Sequence, residues 1–277
     1  MSRSRLTPWL AGPALVYLLV FSLAPTAMVL SYSFHARDYY GEVKPEFSPE
    51  AWQLAVDGIT LRILGRSLVL ALGVTLIDLV AAYPVVMALM GISRRRRGMF
   101  IVLLSFPLVT SLLLRIYGWL NLLPLEWRGQ LPAVALVMAV NYLPFMILPL
   151  LRAFERAEAN LVHAAMDLGA TPWQAFWRVT FPITRPGMWA GCALVFIPSS
   201  GEYLVPHFIG EGKVVVIGKL IIHEFMSNRN WPYAAACAVW LVTIVLIPVL
   251  FSLFSRATDS SETANSGPMT KLDANPK

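Results

Sequence analysis

Two carboxylates, Asp78 and Glu202, lie inside long apolar segments of the sequence. A carboxylate within a bilayer is costly unless it faces protein or water, so such residues are candidates for a solute pathway. Each can pair with an ammonium group, and neighbouring aromatic rings can hold a cation and its methylene chain. The predicted pathway residues are Asp78, Tyr117, Trp119, Tyr142, Ser199, Ser200, Glu202 and Tyr203.

A structural role for the same polar residues stays open. Asp78 or Glu202 can pair with Arg115 or accept hydrogen bonds from the backbone, and Asn141 beside Tyr142 is as well suited to holding helices together as to touching a solute. Residues 196–203 contain a proline, two serines and a glycine in close succession. This composition predicts a broken membrane helix, and such breaks occur where backbone lines a cavity.

The segments that carry these residues are apolar enough to cross a membrane. Of the 277 residues, 57% are hydrophobic and only 14% are charged, whereas a soluble domain carries about a quarter charged residues. A crossing takes about 20 helical residues. Six segments reach that length, at about 10–31, 68–91, 99–119, 131–151, 187–208 and 231–254. Because lipid offers no hydrogen-bond partners, we predict an all-α membrane protein with six transmembrane helices. Residues 1–256 form its membrane domain, and the polar tail 257–277 is expected to be disordered.

The arginines indicate the orientation of these helices. Four of them, Arg94–Arg97, fill the short loop between the second and third segments, and short basic loops stay in the cytoplasm. Both termini are then cytoplasmic. The net charge of +6 is accounted for by this bias, so the expected surrounding partner is membrane lipid and not nucleic acid.

Motifs for covalent chemistry are missing from the sequence. The four histidines are scattered and form no metal-binding pattern, so we predict neither a metal site nor an enzyme. The chain also has no Gly-x-x-x-x-Gly-Lys-Ser/Thr motif, so any ATP hydrolysis must take place on another subunit.

A polar loop, residues 152–186, separates the fourth and fifth apolar segments, and the predicted topology places it in the cytoplasm. A run of helix-forming residues ends at Gly169, which suits the left-handed position after a helix. Thr171 can cap a second helix with Pro172 in its first position, and this helix is predicted to stop before Pro182. The 152–186 loop is therefore predicted to be a helix–turn–helix whose apolar side chains fit a partner's groove. Packing on its own subunit is the alternative.

Residues 164–173 and 179–182 resemble the EAA loop of bacterial ABC-importer permeases. The family pattern is Glu-Ala-Ala, three residues, Gly, nine residues and Ile-x-Leu-Pro. The spacing from Gly169 to the final proline agrees with this pattern. The chain departs from it in having His163 in place of Glu, Val179 in place of Ile and Phe181 in place of Leu.

The resemblance implies the six-span type I importer fold in the bacterial inner membrane, with the 152–186 loop as the element that docks into the ATPase. The residues it assigns to this coupling are His163, Ala164, Ala165, Asp167, Leu168, Gly169, Ala170, Pro172 and Pro182. The implied partners are a second, related permease chain, two cytoplasmic ATPase subunits that bind ATP and Mg, and a periplasmic binding protein. The chain itself is expected to hold no cofactor.

Residues 197–206 and 224–232 are similar to segments of the spermidine/putrescine permease branch. This similarity implies a small cationic solute, with a polyamine as first candidate. An opine or another amino-acid derivative is an alternative solute. A different class of protein, an ion-coupled secondary transporter, would use Asp78 and Glu202 as proton or ion sites. The sequence lacks the internal repeat that such transporters often show.

Overall fold

The computed structural model describes residues 7–38, 41–156 and 159–247. The chain falls into two units, Met1–Leu241 and Val242–Lys277, and the described residues of the second, 242–247, are helical. The helices are α1 (Thr7–Tyr32), α2 (Glu50–Ala55), α3 (Gly58–Met90), α4 (Arg94–Val109), α5 (Leu112–Leu122), α6 (Leu131–Arg156), α7 (Ala159–Asp167), α8 (Pro172–Ala175), α9 (Phe181–Ser200), α10 (Leu204–Phe208), α11 (Ile217–Met226) and α12 (Trp231–Ile247). Two strands, β1 (His35–Arg37) and β2 (Val43–Phe47), precede α2.

Three long helices, α3, α6 and α9, pack along one another and form the core. Their contact faces are fully buried at residues such as Val74, Val137 and Ile147. Gly187 and Gly191 sit one turn apart on α9 and let it approach α6 closely, because a side chain at either position would meet α6 atoms. Small residues spaced in this way are the usual means by which membrane helices come into close contact.

Two of the described helices, α3 and α6, are each long and apolar enough to cross a bilayer, and α4 with α5 makes a third if the bent pair is one span. Shorter apolar helices occur at Val16–Tyr32 and Trp231–Ile247. The protein is thus a mostly helical membrane protein. That it has six transmembrane helices stays a prediction. The predicted tail 257–277 and the end of the sixth segment lie outside the described residues.

The third predicted segment, 99–119, is not a single helix. It consists of α4 and α5, which meet at an angle of 96°. Thr110 and Ser111 between them have extended backbone with ψ of 146° and 131°. Pro107 lies one turn earlier and weakens the helix end by removing a backbone donor. Hydropathy alone did not reveal this break, because both halves are apolar.

The prediction of an all-α protein is wrong between the first two helices. Strands β1 and β2 pair antiparallel, with His35 opposite Phe47 and Arg37 opposite Val43. Gly41, at φ +85°, supplies the left-handed residue that their connection needs. The helix that contains the second predicted segment begins at Gly58, ten residues before that segment, and the side chain of Asp57 caps it by accepting the Ile59 N–H at 3.2 Å.

The four consecutive arginines do not form a loop but the first turn of α4. Arg97 differs from its neighbours because its side chain is held in place. Its guanidinium donates to the carbonyls of Leu89 and Met90 at 3.0 and 3.1 Å and lies 3.6 Å from the Glu155 carboxylate. Arg97 thereby joins the last turn of α3 and the start of α4 to the end of α6.

We expect Arg97→Ala to lower stability, since it leaves two carbonyls at a helix end without their charged donor, a loss of about 2 kcal/mol. Arg96→Ala is the matched control, because Arg96 is exposed. Its loss lowers the positive charge at this end of α4 by the same amount, so both variants affect membrane orientation equally. Thermal unfolding of both purified variants in one detergent measures the difference. Equal unfolding temperatures for the two variants would show that the Arg97 contacts do not stabilise the fold.

Candidate functional site

The turn of the 152–186 loop is built as the sequence predicts. Gly169 has φ +90°, the left-handed conformation expected after a helix. Its N–H donates to the Met166 carbonyl at 2.9 Å, and the Ala170 N–H donates to the Ala165 carbonyl at 3.0 Å. These bonds satisfy carbonyls at the end of α7 that have no partner within the helix.

The start of α8 is also as predicted, with Thr171 as its cap and Pro172 in the first turn. Thr171 Oγ1 accepts the Gln174 N–H at 3.3 Å, and Gln174 Oε1 accepts the Thr171 N–H at 3.0 Å. This reciprocal pair is a capping box, whose Thr-x-x-Gln spacing is visible in the sequence. The turn between α7 and α8 is therefore fixed by local hydrogen bonds.

The prediction that the second helix stops before Pro182 is wrong. A π-helical turn, Phe176–Thr180, continues α8 into α9, and the Phe181 N–H donates to the carbonyl of Phe176. Pro182 lies in the first turn of α9. A proline lacks its own N–H and crowds the carbonyl four residues back, so a wider turn at this point accommodates it. The loop is consequently continuous with α9.

The tip of the loop presents apolar side chains to its surroundings. Leu168 is 89% exposed and Trp173 is 70% exposed. Ala164, Asp167 and Pro172 are exposed as well, whereas Ala165 and Ala170 are half-buried. His163 belongs to α7, and its side chain lies outside the described part of the structure. An exposed apolar surface on a rigid turn is suited to docking with another protein.

Asp78 is enclosed by the helices of the core. Its side chain is only 1% exposed, and one carboxylate oxygen, Oδ2, has no hydrogen-bond partner among the described residues. The possible pairing with Arg115 is absent, because Arg115 donates instead to Asn141 Oδ1 at 2.9 Å. Asp78 thus keeps one acceptor available, which is rare for a buried polar group.

Glu202 lies where the chain breaks between α9 and α10, as the sequence predicts for residues 196–203. Its Oε1 accepts the backbone N–H groups of Tyr203 and Leu204 at 3.1 and 2.9 Å. Its Oε2 accepts the hydroxyl of Tyr142 at 2.5 Å. The structural alternative, a carboxylate that caps backbone groups, therefore describes Glu202 in this conformation.

The remaining predicted pathway residues are spread over several elements. Ser199 and Ser200 are buried, and their hydroxyls donate to carbonyls of their own helix at 3.1 and 2.8 Å. Tyr117 is exposed and its ring lies 5.8 Å from that of Phe208. Trp119 packs against the core, and Tyr203 lies 5.2 Å from the His207 ring. The structure brings Tyr142, Glu202 and Tyr203 together through the hydrogen bonds of the Glu202 carboxylate.

One group of residues that the sequence analysis missed connects the loop to the core. Tyr83 of α3 packs against aromatic rings from α6, the π-turn and α9. No periodic pattern marks Tyr83, since it is one aromatic residue in an apolar segment. Its contacts depend on which helices are neighbours in the folded protein, and the sequence alone does not reveal this.

Comparison with known proteins agrees with this arrangement. Residues 73–259 match the family described as the binding-protein-dependent transport system inner membrane component. The chain is 32% identical over 252 residues to the spermidine/putrescine transport system permease protein PotB of Escherichia coli strain K12, covering 84% of this chain and 92% of that protein. It is 33% identical over 260 residues to the PotB protein of Haemophilus influenzae, with 87% and 90% covered.

The fold is also shared with a solved structure. A chain of a bacterial ABC transporter involved in the import of the acidic polysaccharide alginate superimposes with a TM-score of 0.63, at 17% identity, over 91% of this chain and 96% of that chain. Because the family match covers most of the membrane domain, ATP hydrolysis and its cofactors belong to a separate subunit. The chain belongs to the family of inner membrane components of binding-protein-dependent transport systems, and it is a multi-pass permease subunit of an ABC importer.

Proposed function

We propose that the chain crosses the inner membrane six times with both termini in the cytoplasm. The exposed arginines Arg94–Arg96 at the start of α4 support this orientation, because basic residues near helix ends are retained on the cytoplasmic side. The 152–186 loop then lies on the same side as the soluble ATPase. A periplasmic binding protein delivers the solute on the opposite side.

The 152–186 loop is the coupling element in this proposal. Its turn is held by the capping bonds around Gly169 and Thr171, and its exposed Leu168 and Trp173 are suited to a groove on an ATPase subunit. Two ATPase subunits bind ATP and Mg, and a second, related permease chain completes the pathway. ATP-driven closure of the ATPase pair moves the loops, and the pathway opens alternately to each side.

A small amine is the proposed solute, and a polyamine is the first candidate. The observation that carries this proposal is Asp78, a buried carboxylate with an oxygen that lacks a partner among the described residues. An ammonium group supplies the donor and the opposite charge that such an oxygen needs. The names of the PotB relatives support the same solute class.

Arg115 favours a second candidate, an amine that also carries an acidic group, such as an opine or another amino-acid derivative. No carboxylate of the described residues forms an ion pair with this guanidinium, which donates to the side-chain amide oxygen of Asn141. A cation inside a membrane domain is normally compensated by an anion. The two candidates differ in whether the solute itself supplies that anion.

We expect Asp78→Asn to reduce ATP-dependent putrescine uptake by about tenfold or more, because a charge-assisted hydrogen bond to the ammonium group is lost. Asp57→Asn is the control on the same helix, since asparagine caps a helix as well as aspartate does. Uptake of radiolabelled putrescine into cells that express the complete importer gives the comparison. If Asp78→Asn and Asp57→Asn take up putrescine at the same rate, Asp78 does not bind the amine.

A further inference from the structure

The Tyr83 cluster consists of the rings of Tyr83, Phe154, Phe176 and Phe181. The centroid of the Tyr83 ring lies 6.0 Å from Phe154, 5.7 Å from Phe176 and 6.2 Å from Phe181. Its contacts with Phe154 and Phe176 are edge-to-face, the geometry that aromatic pairs prefer. One residue of α3 therefore touches α6, the π-turn and α9 at the same time.

The Tyr83 hydroxyl adds a directional contact to this cluster. It lies 3.1 Å from Thr184 Oγ1, and Thr184 is fully buried. Thr184 Oγ1 lies 2.9 Å from the carbonyl of Thr180 and has one proton to donate to it. Tyr83 is therefore the donor to Thr184, and the bond fixes the position of α3 against the junction of the π-turn with α9.

Aromatic contacts lead from the exposed tip of the 152–186 loop to this cluster. The ring of Trp173 lies 6.0 Å from that of Phe176, which contacts Tyr83. The ring of Trp177 lies 5.0 Å from that of Phe181. A displacement of Trp173 thus reaches α3 through only one intervening side chain. Because the Phe176 ring contacts both Trp173 and Tyr83, it can pass such a displacement on to α3.

We propose that Tyr83 is the positioning residue through which movement of the 152–186 loop is transmitted to α3. Chain continuity through the π-turn links the loop to α9, whereas α3 has no such covalent link and depends on side chains. Tyr83 supplies both a packed ring and a hydrogen bond for this purpose. The inference rests on the proposed coupling role of the loop, but it does not depend on which solute is carried.

Cys192 provides a reporter of this transmission that requires no solute. It lies on α9 about two turns beyond Thr184, is half-buried, and packs against the core that α3 helps to form. With Cys237 replaced by alanine, it is the only cysteine of the chain. The rate at which N-ethylmaleimide labels Cys192 is measured in the complex with its ATPase subunits in nanodiscs, with and without ATP and vanadate.

We expect ATP with vanadate to change the labelling rate of the parent protein about fivefold or more, the size of a typical coupling between sites. Tyr83→Leu removes the ring and is expected to abolish the nucleotide effect, and Tyr83→Phe, which keeps the ring but not the hydroxyl, is expected to reduce it. Tyr233→Phe is the matched control, because Tyr233 forms a similar hydroxyl pair with Thr60 at 2.6 Å away from the loop. It should behave as the parent.

Three results would overturn the proposal. One is a parent protein whose labelling does not respond to nucleotide, and another is a Tyr83→Leu variant that responds as the parent does. The third applies if Tyr83→Leu fails to assemble with the ATPase. The test then uses Tyr83→Phe, and a full nucleotide response in that variant refutes the role of Tyr83. Putrescine uptake is measured separately, after the same purified complexes have been reconstituted into liposomes. Normal Cys192 responses without putrescine uptake would reject the polyamine proposal and leave the role of Tyr83 intact.

Discussion

Gly187→Val is expected to prevent α9 from packing on α6 and to remove most folded protein from the membrane. A Cβ atom at Gly187 would overlap the side chain of Ala153 and the carbonyl of Pro149. Both obstacles belong to α6, and the carbonyl is backbone that cannot rotate away. Overpacking of a well-packed core costs about 1–3 kcal/mol, and a β-branched residue adds further atoms at the contact.

The matched control is Gly73→Val, since Gly73 lies within α3 and an added Cβ would meet no neighbouring atom within 4 Å in the part of the chain that the structure describes. Both changes introduce the same side chain into a long apolar helix. The amount of each variant that mild detergent extracts as a monodisperse complex, together with its unfolding temperature, measures the effect. Equal yields and unfolding temperatures for the two variants would refute the close contact between α6 and α9.

Gly169→Val is expected to uncouple ATP hydrolysis from transport while the protein remains folded in the membrane. Gly169 has φ +90°, and a β-branched residue in such a conformation costs about 1–3 kcal/mol. The turn between α7 and α8 relieves this strain by changing shape, because no atom of the described residues outside the turn lies within 4 Å of an added Cβ. Leu168 and Trp173 then no longer present the same surface, and we expect putrescine uptake to fall by about tenfold or more.

Gly212→Val is the control that distinguishes the effect of backbone strain in general from an effect on coupling. Gly212 has φ +81° and equally open surroundings, but it lies between α10 and α11, away from the 152–186 loop. ATPase activity and putrescine uptake are measured on the same preparation of each variant. We expect normal uptake for Gly212→Val, and for Gly169→Val continued ATP hydrolysis with the reduced uptake stated above. Wild-type uptake by Gly169→Val would reject the coupling role of this turn.

Local signals in the sequence predicted local structure well. Gly169, Thr171 and Pro172 lie within a few residues of the groups they bond, so their roles as helix end, cap and first helical residue follow from short-range rules. The break after α9 is equally local, because Ser200 and Gly201 end the helix where the serine–glycine cluster occurs. These features were confirmed because they require no knowledge of tertiary packing.

Features that depend on packing were not predictable in the same way. Tyr83 and Thr184 are 101 residues apart in the chain, and only the contact between α3 and α9 makes them partners. The role of Glu202 was ambiguous because a carboxylate in an apolar segment can either bind a solute or cap a helix. In this conformation its partners are the hydroxyl of Tyr142 and three backbone N–H groups. The prediction that the second helix of the loop stops before Pro182 was wrong because the π-turn accommodates this proline.

Site-specific photo-cross-linking tests most directly whether the 152–186 loop contacts the ATPase. A photoreactive phenylalanine analogue is placed at Leu168, which is 89% exposed, or at Leu114 of α5, which is 69% exposed. The complete complex is then irradiated and its adducts are identified by mass spectrometry. The proposed coupling role predicts an adduct with the ATPase subunit from position 168 and none from position 114. The absence of an ATPase adduct at position 168, or equal adducts from both positions, would contradict it.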